Sequence, residues 1–114
     1  MIELQFSMMD TKTNANQTIR LALDEFEKLH GVKVNLRILS WDTGWSDLVK
    51  TALYKAGADV SEIGTTWLEG FISSNAVRKF EQCEIDALGG PSVFLPSMWS
   101  EGIRPTDSVV WGIP

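Results

Sequence analysis

Cysteine is nearly absent from this chain: Cys83 stands alone among 114 residues. That excludes an internal disulfide, a thiolate metal cluster and a CxxC redox pair. One unpaired thiol assigns no compartment. Histidine is equally scarce, with His30 as its single representative. A lone histidine before a helix-stopping glycine reads as a partner for the helix carboxyl end, not as a metal ligand or a triad member. Long apolar runs are missing too, so no segment reads as a membrane helix. Met1 leads straight into Ile2–Phe6, with no secretory signal pattern. An exported protein would therefore appear here in its mature form. Basic residues are outnumbered, 10 against 15 acidic, for a net charge of −5. That balance leaves no electrostatic footprint for nucleic acid or an anionic membrane.

What is present is globular. The hydrophobic fraction of 44% suits one modest domain with one core. Ile2, Leu4, Phe6 and Met8 alternate with polar residues, predicting a first strand. Ile19, Ala22, Leu23, Phe26 and Leu29 share one helical face, and Gly31 stops that helix. Val32, Val34, Leu36 and Ile38 alternate again, with one buried and one wet side, as an edge strand would. Trp41–Gly44 forms a turn, with Asp42 or Thr43 as cap. A stripe from Trp45 through Leu48, Val49, Ala52 and Leu53 to Ala56 follows, closed by Gly57. Asp59–Gly64 reads as a third strand and Trp67–Ser74 as a helix stopped near Asn75. Glu81–Leu88 reads as helical, and Pro91 opens a further short helix holding Phe94, Met98 and Trp99. Ser108–Ile113 reads as a fourth strand.

The order βαβαβα, then irregular helix, then β, predicts an α/β fold: a mostly parallel open sheet with flanking helices and right-handed crossovers. In such a sheet the loops after the strands gather at one rim, where ligands bind. Met9, Asp10, Trp41, Asp42, Thr65, Thr66 and Trp67 fall on those loops. Hydroxyls, backbone amides and flat apolar rings suit a neutral polyhydroxylated solute such as a sugar. A carboxylate can chelate neighbouring hydroxyls, and an indole can stack on a sugar face.

Each residue also has a plainer reading. Trp45 and Trp99 read as core. Trp41 stands between ligand and core roles, and Trp67 is the leading stacking candidate. Trp111, in the fourth strand, is a ligand candidate that reads first as buried and structural. Asp42 reads first as a helix cap, Asp10 as rim or solvated turn, and Thr65 and Thr66 as ligand contacts or caps. Glu62 has no second carboxylate at a pairing distance in sequence, and Gly89–Gly90 lacks the lysine of a phosphate loop. No nucleophile elbow or dinucleotide fingerprint appears, so no enzyme activity, catalytic residue, metal or cofactor is expected. A signalling receiver domain has similar length and alternation. It needs an aspartate at the end of the third strand, where this chain has Gly64-Thr65-Thr66.

Three runs together, FEKLHGVKVNLRILSWD (Phe26–Asp42), GADVSEIGTTWLEGFISSNAV (Gly57–Val77) and VVWGIP (Val109–Pro114), resemble the start of mature extracellular solute-binding proteins of ABC transporters, the family that includes maltose-binding and other sugar-binding proteins. The resemblance implies that residues 1–114 form a partial amino-terminal lobe of a two-lobed protein. It implies a sugar held in an interlobe cleft, an ABC permease as partner, and a periplasmic or extracellular location. This chain would carry half of the site. It would lack the second lobe and the segment that returns to complete the first lobe's sheet. An unpaired sheet edge and exposed apolar surface would follow, and with them a homodimer, through exchange of elements between copies in one form.

Overall fold

The computed structural model describes all residues from Met1 to Pro114. They form two compact units, Met1–Ile63 and Gly64–Pro114.

The first unit is a βαβαβ arrangement. Strand β1 (Glu3–Met9) is followed by α1 (Ala15–His30), β2 (Lys33–Leu39), α2 (Gly44–Tyr54) and the short β3 (Val60–Ser61). The strands run parallel in the order β2-β1-β3, which puts the first strand at the centre and β2 at the expected edge. The β1–β2 ladder keeps one register throughout, from Glu3 opposite Lys33 to Met9 opposite Leu39. Met9 is 0% exposed. It shares the polar phase of the strand with Gln5 and Ser7, yet the end of β1 is covered on both sides.

Helix α1 ends at Gly31, whose φ of 64° is the left-handed geometry that glycine adopts without Cβ strain. Its anticipated core face is not buried: no residue of α1 is, and Leu29 is 78% exposed. The helix is instead tied to the edge strand by polar groups. Arg20 donates to the Val34 carbonyl at 3.0 Å, and Glu27 accepts from the Val34 amide at 3.1 Å. Arg20 also pairs with Glu27 and Asp24. The Val34 amide, followed by the Arg20 guanidinium, holds the Glu27 carboxyl below its ordinary range.

Helix α2 closes differently from expectation. Lys55, not Gly57, takes the left-handed position, with φ of 50°. Of its apolar stripe only Leu48 is buried, and Trp45 is 44% exposed rather than core. β3 is also shorter than expected, although the Glu62 amide still donates to Ser7 O of β1 (2.8 Å).

The second unit is helical and irregular. A 3₁₀ turn, Thr65–Trp67, runs into α3 (Leu68–Ser73), where Phe71 and Ile72 are buried. Asn75, with φ of 57°, follows as the anticipated stop. Helix α4 (Gln82–Ala87) opens on a reciprocal capping box between Glu81 and Glu84. A 3₁₀ turn at Pro91–Val93 and α5 (Pro96–Glu101) replace the single helix expected after Pro91, and Phe94 lies between them in extended backbone. Trp99 is buried, as anticipated for core, and stacks on Phe94 at 5.3 Å between ring centroids. The expected fourth strand does not join a sheet. Val110 makes one antiparallel bridge with Ile103, and the Trp111 amide reaches Gly102 O at 2.8 Å. A Cβ on Gly102 would run into the Gly112 carbonyl, so glycine is what lets these backbones meet.

Two outcomes follow. Met9→Ala removes a fully buried side chain and should cost about 2–5 kcal/mol, read as a lower urea midpoint. The bidentate Arg78 guanidinium (2.8 Å to each oxygen), with the Glu81 amide, pulls Glu84 from 4.5 to about 2. A depressed folded value means that this carboxylate stabilises fully above pH 4.5 and loses that contribution as pH falls toward about 2. Glu84→Gln should flatten the acid limb of the urea midpoint measured against pH. An unchanged limb contradicts the assignment.

Candidate ligand site

Parallel pairing brings the carboxyl ends of β1, β2 and β3 to one edge of the first unit. The Asp10 amide donates to Leu39 O at 2.7 Å, so the loop after β1 is bonded to the end of β2. Asp10 and the Trp41–Asp42 turn are therefore brought together, as their positions after successive strands predict. Asp10 is partly buried, and its Oδ1 accepts from the Lys12 amide at 2.9 Å, an Asx-type turn. Trp41 is 51% exposed, a ring presented to solvent rather than a core side chain.

Asp42 is not the cap of α2. Thr43 takes the cap position, but its hydroxyl caps no backbone amide and donates instead to the Asp47 carboxylate at 3.3 Å. The turn is held instead by Ser40, whose Oγ accepts from the Asp42 amide at 3.2 Å and whose carbonyl accepts from Gly44 at 2.6 Å. The Asp42 carboxylate is left at the surface. Met9 contributes no side chain to the rim, because that side chain fills the core beneath it.

Glu62 is the rim residue that sequence reasoning missed. Its Oε2 accepts from the Met9 amide at 3.2 Å, joining the end of β3 to the end of β1. Glu62 is thus a structural acceptor at the end of β3. No group of three or more His, Cys, Asp or Glu has the spacing of a metal site.

The other four candidates belong to the second unit. Thr65 and Thr66 are exposed on the 3₁₀ turn, and neither caps a helix through its hydroxyl. The Trp67 amide donates to Gly64 O at 2.9 Å, and its indole lies over that glycine: a Cβ there would sit 3.3 Å from the ring. Thr65 lines a cavity of about 230 Å³ with Leu68, Glu69, Ile72 and Arg104. Arg104 pairs with Glu69 there at 3.5 Å. Trp111 is half-buried, and its indole N–H is buried with no acceptor in the chain. An unpaired buried donor of this kind costs about 1–3 kcal/mol.

No family model and no curated protein matches this sequence. Solved structures do. A solute-binding protein of an ABC transporter from Thermotoga lettingae, bound with alpha-D-tagatose, matches 100% of this chain with a TM-score of 0.86 at 17% identity. The sugar-binding protein MalE from Xanthomonas citri matches 98% with a TM-score of 0.83 at 18% identity. A periplasmic solute-binding protein from Pectobacterium atrosepticum matches 100% with a TM-score of 0.81 at 22% identity. The chain spans 27–29% of the length of these three proteins. No helix is long and apolar enough to cross a membrane. The chain thus has the α/β fold of a periplasmic-binding-protein lobe, over the part of those proteins that it spans.

Proposed function

We propose that this chain is the amino-terminal part of a two-lobed solute-binding protein that delivers a carbohydrate to an ABC permease, in the periplasm or outside the cell. The observation that carries this reading is the match of 98–100% of the chain to proteins named for binding tagatose and other sugars. The chemistry of the first unit's rim agrees with it. Asp10 and Asp42 accept from hydroxyls, and the half-exposed Trp41 ring offers a stacking face. In the second unit Thr65 and Thr66 supply hydroxyls, and Trp67 and Trp111 supply apolar rings. The role is binding without catalysis and without a cofactor.

On this reading these 114 residues hold half of the solute contacts. Calorimetric titration with D-tagatose, maltose, glucose and mannotriose should give dissociation constants no tighter than about 1 mM. Micromolar binding by the chain alone contradicts the half-site assignment. Absence of any amide shift at the rim with every sugar contradicts the carbohydrate.

We also propose that the chain self-associates, as a homodimer or by exchange of elements between copies. Val60, on the outer side of β3, is 62% exposed, and the apolar face of α1 carries exposed Phe26 and Leu29. The opposite edge of the sheet is occupied at Val34 by Arg20 and Glu27. Sedimentation velocity should show a dimer or larger species at micromolar concentration. A single monomeric boundary contradicts this.

A further inference from the structure

Strand β3 is two residues long, yet it serves a longer stretch of β1. The Asp59 amide donates to Gln5 O and the Glu62 amide to Ser7 O, each at 2.8 Å. Backbone groups two residues apart on a strand face the same way, so the amides of Gln5 and Met9 also face β3. Their acceptors are side chains. The Gln5 amide donates to Asp59 Oδ2 at 2.8 Å, and the Met9 amide to Glu62 Oε2 at 3.2 Å. Two carboxylates thus carry the ladder past both ends of β3.

The two bonds differ in what lies beside them. Gln5 is near the start of β1, away from the rim. Met9 is its last residue, and Asp10 follows. The Asp10 amide donates to Leu39 O of β2 at 2.7 Å, on the side opposite β3. The peptide links before and after Met9 are therefore held from opposite sides, and Glu62 supplies one of the two holds. Met9 is 0% exposed, so water is no ready substitute for that carboxylate. Without it the strand end must shift to find an acceptor for the Met9 amide. Asp10 has little tolerance for such a shift. Its Oδ1 is taken by the Lys12 amide, which leaves Oδ2 for a solute hydroxyl.

We propose that Glu62 is a positioning residue for solute binding: it aims Asp10 through the Met9 amide and makes no contact with the solute itself. This rests on the reading of the rim as a carbohydrate site. Asp59 makes the same kind of bond at the far end of β3, so it serves as the matched control for stability alone.

The test is an amide-resolved NMR titration with D-tagatose and with maltose, read at Asp10 and Trp41. Glu62→Ala should raise the dissociation constant about fivefold or more, because small misplacements of a binding group are costly. Glu62→Gln keeps an oxygen for the Met9 amide and should restore binding to within about twofold. Asp59→Ala should also stay within about twofold. Equal losses in Glu62→Ala and Asp59→Ala overturn the proposal, as does an unaffected Glu62→Ala. A loss in Glu62→Gln as large as in Glu62→Ala means direct contact with the solute and overturns it too. If neither sugar moves the rim of the unaltered chain, the carbohydrate reading fails, and hydrogen exchange then decides the positioning alone. The Asp10 amide should exchange about tenfold faster in Glu62→Ala than in Asp59→Ala, although its own acceptor is intact in both. Equal rates contradict the proposal. On the unaltered chain, a scalar coupling across the hydrogen bond from the Met9 amide nitrogen to the Glu62 carboxyl carbon is expected. Its absence overturns the proposal even if a variant fails to fold.

Discussion

The central position of β1 is the constraint on which the first unit depends. This one strand pairs in parallel with β2 on one side and β3 on the other. Its backbone groups are thereby satisfied on both sides along the part that faces β3, and its terminal Met9 becomes the most deeply buried side chain of the chain. The same pairing fixes where the loops after the strands lie. Parallel strands deliver their carboxyl ends to one edge, and two further bonds lock that edge: the Asp10 amide to Leu39 O, and the Met9 amide to the Glu62 carboxylate. The rim is a consequence of the ladder, and its loops are bonded across strands rather than merely adjacent.

Edges are treated unequally. On β2, alternate residues turn their amides and carbonyls toward β1, as Lys33 does toward Ile2 O at 2.9 Å. Val34 turns outward, and α1 meets it there with a donor and an acceptor, Arg20 and Glu27. A side-chain pair that caps an edge strand in this way blocks further pairing at that point. On β3 the outward residue is an exposed valine, flanked by Asp59, whose carboxylate holds the Gln5 amide at 2.8 Å. The second unit solves a different problem. Its short helices are too small to form a layered core, and it is held by Phe71, Ile72, Ile85 and Trp99, by the Glu81–Glu84 capping box and by the close approach of Gly102 and Gly112.

Local pattern was enough for the first half of the fold. Alternation in β1 and β2, the Gly31 stop and the edge character of β2 all follow from period and composition, and the structure has each of them. The departures come from non-local causes. Lys55 closes α2 because a lysine can take a left-handed position that sequence rules assign to glycine. Ser108–Ile113 has strand propensity, but strand formation needs a partner, and only Val110 finds one in Ile103. Met9 looked like a rim residue because it precedes a loop, yet coverage on both faces makes it core. The candidate site was legible to the same degree. Asp10, Trp41 and Asp42 were placed by connectivity alone. Glu62 was not, because a carboxylate that reaches a backbone amide on another strand leaves no spacing signal.

Native-state hydrogen exchange is the most direct test of β1 as the organising strand. The account predicts that the amides of Phe6 to Met9 and of Asp10 are the slowest of the first unit, slower than those of α1, which buries no side chain. Exchange of the β1 amides as fast as those of α1 would contradict it.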